Sequence, residues 1–66
     1  MRVTVNGEPV ELCDGSTVGS LVAQLGGPPR GIAVAVDAQV VPKSEWATTS
    51  LGEGARVEIL TAAQGG

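Results

Sequence analysis

The chain is short and acidic, with 66 residues, a formal net charge of -3, one Cys, one Trp and no His, Phe or Tyr. This length fits one small domain that buries only about 60% of its unfolded surface, which excludes an enclosed enzyme pocket. The negative charge and the lack of aromatic platforms exclude nucleic-acid binding, and a single cysteine can form neither an internal disulfide nor a zinc site.

A β-hairpin is predicted for residues 1–12, because apolar and polar residues alternate on both sides of a turn. Asn6 and Gly7 form the residue pair that two-residue hairpin turns prefer. Proline cannot donate a hydrogen bond to a neighbouring strand. The second strand is therefore expected either to lie at a sheet edge or to begin at Pro9.

A short helix is predicted to follow a turn at residues 14–15. Thr17 is placed to cap its N-terminus, and a glycine-proline run at 26–29 must end it. One apolar stripe with helical spacing is formed by Val18, Leu21, Val22 and Leu25.

A second hairpin is predicted from the apolar, strand-forming residues at 32–36 and 39–41. Asp37 and Ala38 connect these two strands, and Pro42 ends the second. On the first of them, Ile32, Val34 and Val36 alternate with alanines.

The last part of the chain is predicted to be a loop followed by a final strand. Residues 43–50 have no alternating pattern and contain one large anchor, Trp46. A turn cluster at 51–54 precedes the strand 56–61, in which Val57 and Ile59 are expected to face the core.

These elements predict an α+β fold in which one crossover helix covers one face of a mixed sheet of four to five strands. The first and last strands can then meet in the centre of the sheet. This arrangement is the β-grasp, or ubiquitin-like, roll. We expect residues 1–61 to form this domain and residues 62–66 to form a flexible C-terminal tail.

A soluble, cytoplasmic protein without membrane attachment is expected. The apolar run at 32–36 is far shorter than the ~20 residues that cross a bilayer. The alternation of polar and apolar residues after Met1 does not match a signal peptide.

The side chains offer no catalytic arrangement. Without histidine, neither a Ser/His nor a Cys/His pair can be built. The seven carboxylates are scattered as expected for solvated surface, and Cys13 has no basic neighbour in the sequence that would activate it.

The C-terminus is the remaining candidate for chemistry. Gly65 and Gly66 have no side chains, so the tail can extend through a narrow channel and bring its carboxylate against a nucleotide phosphate in a partner enzyme. In extended form, the segment from Ala62 to Gly66 reaches about 17 Å. A frayed end without function is the alternative to such a tail.

Three segments together resemble the ThiS family of sulfur carrier proteins in thiamine biosynthesis: the run from Ile32 to Trp46, the run from Leu51 to Ile59, and the terminal Gly-Gly. The resemblance covers nearly the whole chain, and Val-Pro-Lys-Ser-Glu-Trp, ending at Trp46, is its most specific part. The sequence differs from many family members at the turn residue Ala38 and at Ala55, both remote from the tail.

The resemblance implies that the chain is a co-substrate without a bound cofactor, rather than an enzyme. A ThiF-type adenylyltransferase would use ATP to activate the carboxylate of Gly66. A cysteine desulfurase would supply the sulfur for a thiocarboxylate, which a ThiG-type thiazole synthase would use. Besides Gly66, the tail residues that enter the partner active sites would be Gly65, Gln64, Ala63 and Ala62.

Strand alternation predicts where partners dock. If the valines and isoleucine of the strands face inward, then Leu60, Glu58, Ala33 and Ala35 face outward beside the tail. These residues are the expected docking face, with ordinary exposed surface as the alternative.

Two other functions stay open at this point. The small subunit of molybdopterin synthase shares the fold and the Gly-Gly ending, although such subunits are usually longer and richer in Phe. A ubiquitin-like module that binds partners noncovalently would not use its carboxylate at all.

Overall fold

The computed structural model describes residues 1–26 and 31–61, which form one α-helix, one short 3-10 helix and a single sheet. The strands are β1 (Arg2–Val5), β2 (Glu8–Glu11), β3 (Ile32–Val36), β4 (Gln39–Val41) and β5 (Arg56–Thr61). The α-helix is α1 (Val18–Leu25), and the 3-10 helix spans Lys43–Glu45.

The sheet is mixed and has the strand order β2-β1-β5-β3-β4. The central pair, β1 and β5, is parallel, and the other neighbours are antiparallel. A parallel pair needs a long crossover between its strands, and the connection from β1 to β5 contains α1. The predicted β-grasp roll, with the first and last strands in the centre, is confirmed.

The first hairpin has the predicted turn. Asn6 and Gly7 have φ angles of 53° and 84°, the left-handed conformation that both central residues of a type I′ turn require. Strand β2, which contains Pro9, lies at the edge of the sheet as expected.

Helix α1 begins at the predicted cap. The Thr17 side chain accepts a hydrogen bond from the Ser20 backbone, and the Ser20 side chain accepts one from the Thr17 backbone, which forms a capping box. The helix ends at Gly26, whose φ of 76° is left-handed. Residues 27–30, which include the rest of the predicted glycine-proline stop, lie outside the described residues.

The apolar stripe of α1 is shorter than predicted. Val18, Leu21 and Val22 are buried against the sheet, whereas Leu25 is 46% exposed. The prediction for Leu25 was wrong because it stands in the last turn, directly before the residue at which the chain leaves the helix.

The loop after β4 is anchored by Trp46 as predicted. Its indole is only 6% exposed, and its ring N–H donates a hydrogen bond to the Val41 carbonyl at 2.9 Å. The turn cluster predicted at 51–54 is narrower in the structure, since Leu51 is buried in the core and only residues 53–54 form the turn.

Candidate functional site

Strand β5 positions the candidate reactive segment. It lies between β1 and β3, so its backbone has hydrogen-bonded neighbours on both sides. Thr61 is its last residue, and the predicted tail residues Ala62, Ala63, Gln64, Gly65 and Gly66 lie outside the described residues. The segment proposed for chemistry therefore follows the centre of the sheet directly.

The four predicted docking residues share the face of the sheet that is turned away from α1. Leu60 lies opposite Ala33, and Glu58 lies opposite Ala35, in the pairing of β5 with β3. The alternate residues of these strands, Val57 and Val34, are fully buried on the other face. Leu60 is 67% exposed, Glu58 and Ala33 are exposed, and Ala35 is half-buried.

Val40 extends this face, and sequence reasoning missed it. It lies opposite Ala35 in the pairing of β4 with β3 and is 74% exposed. The signal was available, because Val41 packs against the core and its neighbour on a strand must face outward. We call the row formed by Leu60, Ala33, Ala35 and Val40 the outer apolar strip.

The surface on the β1 side of this strip is polar and slightly concave. A shallow open depression there is lined by Thr4, Asn6, Gly7, Arg56, Glu58 and Leu60. Its one cation and one carboxylate, Arg56 and Glu58, stand on the same strand two residues apart. The outer face therefore combines an apolar strip with a small polar margin, as protein docking surfaces do.

The described residues contain no buried reactive centre, and their polar and charged side chains lie at the surface. Among them, no charged or polar residue is buried, and no group of three or more His, Cys, Asp or Glu side chains could hold a metal ion. Cys13 is an exposed free thiol. In the same ranges, no helix is long and apolar enough to cross a membrane.

A β-grasp sheet with an exposed outer face and a central last strand defines a ubiquitin-like protein. Comparison with known protein families identifies the particular family, because the ThiS family model matches residues 3–66. The chain belongs to the ThiS family, as its sequence predicted.

Two relatives match the chain over its full length. The sulfur carrier protein ThiS of Escherichia coli (strain K12) is 29% identical over 66 residues, which are 100% of both chains. A thiazole synthase of Paramagnetospirillum magneticum is 33% identical over 66 residues, but the chain spans only 20% of that protein.

The fold also matches solved structures. A crystal structure of the thiamine biosynthesis protein ThiS from Geobacter metallireducens superposes with a TM-score of 0.85, at 26% identity and 100% coverage of both chains. A solution NMR structure of a thiamine biosynthesis protein from the same organism gives 0.81, at 28% identity, covering all of this chain and 88% of the other. The chain is a ThiS-type sulfur carrier of thiamine biosynthesis.

Proposed function

We propose that the carboxylate of Gly66 carries the sulfur. A carboxylate is a poor electrophile because oxide is a poor leaving group, so a ThiF-type adenylyltransferase first uses ATP to convert it to an acyl-adenylate. The outer sulfur of a persulfide, supplied through a cysteine desulfurase, then displaces AMP and forms an acyl disulfide. A cysteine thiol of the sulfur-transfer machinery attacks the other sulfur of this S–S bond, which releases the thiocarboxylate and leaves a disulfide on the donor side. A ThiG-type thiazole synthase takes this sulfur, and all of these steps take place in the cytoplasm.

The observation that carries this proposal is the match of the ThiS family to the chain through Gly66. The geometry of β5 supports it, because pairing with β1 at the start of the strand and with β3 as far as Thr61 provides a rigid base for the segment that follows. From Ala62 to Gly66 an extended chain reaches about 17 Å, enough for Gly65 and Gly66 to enter a deep active site while the sheet stays outside. In this arrangement Gln64, Ala63 and Ala62 also enter the partner's active-site channel.

The docking face is proposed to be the outer apolar strip together with Glu58. Small alanines between two exposed larger side chains make a flat surface on which a partner can pack closely. The net charge of -3 favours a partner surface that is basic or neutral. The thiazole synthase of P. magneticum, which contains a segment similar to the whole chain, supports an enzyme of that kind as one partner.

The test is the release of pyrophosphate from ATP by the activating enzyme in the presence of the chain. Deletion of Gly66 and the substitution Gly65→Val should each abolish release, the second because a branched side chain blocks a narrow channel. The matched control is Gly52→Ala, because a methyl group at Gly52 meets no atom within 4 Å and its backbone is not left-handed.

Pyrophosphate release that persists after deletion of Gly66 would contradict the proposal. A noncovalent ubiquitin-like module predicts a different result, namely binding to the partner without any pyrophosphate release. Binding of the chain to the activating enzyme is therefore measured separately, beside pyrophosphate release.

A further inference from the structure

The side chain of Asn6 bonds to the last part of β5. Its amide oxygen accepts a hydrogen bond from the Ile59 backbone N–H at 2.9 Å, and its amide nitrogen donates one to the Ile59 carbonyl at 3.1 Å. The two residues are 53 positions apart in sequence. Asn6 also occupies the left-handed first position of the β1–β2 turn.

The hairpin turn ends the backbone pairing of β1 with β5, and these two side-chain bonds continue it. The Asn6 backbone N–H donates to the Val57 carbonyl at 2.9 Å, as in a regular parallel pair. The next bond of that pattern would join the Ile59 N–H to the backbone carbonyl of residue 6. The chain turns away at this point, and the side-chain amide, which has the donor and acceptor of a peptide group, takes its place.

This bidentate contact extends the part of β5 that is held on both sides as far as Ile59. On one side, β3 pairs with β5 as far as Thr61. On the other side, β1 pairs with β5 only at Arg56 and Val57. Without the Asn6 side chain, the Ile59 N–H and carbonyl would lose these bonds, and β5 beyond Val57 would be held by β3 alone.

The second hairpin provides an internal comparison at the opposite end of β5. Asp37 is also left-handed, with φ of 50°, and its carboxylate accepts a hydrogen bond from the Arg56 N–H at 3.0 Å. Its backbone N–H donates to the Arg56 carbonyl at 2.8 Å. Both turns therefore hold β5, Asp37 where the strand begins and Asn6 near the tail.

We propose that Asn6 is a positioning residue that fixes the direction in which β5 delivers the C-terminal tail. The proposal rests on the function proposed for Gly66. Asparagine suits the position because it tolerates a positive φ and can satisfy both polar groups of Ile59. Aspartate cannot donate the second bond, and glycine makes neither.

The expected kinetic effect separates positioning from docking. Asn6 lies in the polar margin beside the outer apolar strip, but both ends of its amide are bonded to Ile59, so loosening the end of β5 changes the KM of the chain for the activating enzyme less than it changes kcat. It lowers the fraction of docked chains whose carboxylate is aligned for attack on ATP, and kcat falls, since misalignment by ~1 Å is enough to slow a reaction strongly.

The test compares Asn6→Gly with Asp37→Gly in the full chain. Glycine accepts the left-handed backbone at both positions, so each variant removes one side-chain contact without adding strain. Backbone amide exchange is followed by NMR, and folding is checked by the fluorescence of Trp46. In Asn6→Gly, the Ile59 amide should exchange about tenfold faster, as expected for the loss of its hydrogen bond, and kcat for adenylation should fall by a larger factor than KM rises.

Asp37→Gly should speed exchange at Arg56 and leave kcat unchanged. For Asn6→Asp, both the exchange rate of the Ile59 amide and kcat should lie between those of wild type and Asn6→Gly, because aspartate keeps the acceptor for the Ile59 N–H. Unchanged exchange at Ile59 in Asn6→Gly, or an equal fall in kcat in Asp37→Gly, would overturn the proposal. A wild-type chain that is never adenylated refutes the function of Gly66 instead, and residual dipolar couplings of the Leu60 amide then decide the role of Asn6 without an enzyme.

Discussion

Leu60 allows the docking face to be tested quantitatively. Its side chain is 67% exposed on the outer apolar strip, and covering a whole Leu side chain contributes about 1.5–3 kcal/mol. Two-thirds of that is about 1–2 kcal/mol if the partner covers the exposed part completely. At 1.4 kcal/mol for each tenfold, the substitution Leu60→Ala should raise the Kd for the activating enzyme by about 5- to 30-fold.

The matched control is Leu25→Ala, since Leu25 is an exposed leucine at the end of α1, on the opposite side of the sheet. Binding is measured by isothermal titration calorimetry, and urea unfolding is followed by Trp46 fluorescence. Both variants should lose no more than about 1 kcal/mol in the free energy of unfolding, because neither side chain is buried. Equal Kd values for Leu60→Ala and wild type would refute the proposed docking face, and so would an equal loss in Leu25→Ala.

Three further predictions concern the free energy of unfolding, measured with urea. Leu21→Ala should cost about 2–5 kcal/mol, because Leu21 is fully buried, and should leave much of the chain unfolded, since ~3–10 kcal/mol is typical of a whole domain of this length. Thr17→Ala should cost about 1 kcal/mol by removing the cap of α1, while Thr48→Ala, in the loop, should leave the free energy of unfolding nearly unchanged. Ala38→Gly should stabilise the chain by up to about 1 kcal/mol, because Ala38 has a φ of 72° that favours glycine, whereas Ala33→Gly, in a strand, should destabilise it.

Local sequence signals predicted the elements that depend on neighbouring residues. The Asn6-Gly7 turn and the Thr17 cap are set by the backbone preferences of a few adjacent residues, and the structure has both. The alternation along β3 and β5 also placed Leu60 and Ala33 on one face, and applying it to β4 would have added Val40.

Features that depend on distant parts of the chain were not predicted from the sequence. Leu51 directly precedes the run Gly52-Glu53-Gly54, which predicts a turn, and only the folded core shows that its side chain is buried. The hydrogen bonds between Asn6 and Ile59 need the parallel pairing of β1 with β5, and no residue pattern gives the register of that pairing. The helix period placed Leu25 on the buried stripe, but the end of the helix exposed it.

The central claim, that Gly66 carries the sulfur, is tested most directly by the mass of the chain and its fragments. After incubation with the activating enzyme, ATP and a sulfur donor, the mass should rise by the difference between one sulfur and one oxygen atom. Fragmentation should place this gain on Gly66. A gain of a whole sulfur atom located at Cys13 would contradict the claim. A gain equal to the sulfur–oxygen difference that persists after deletion of Gly66 would also contradict it.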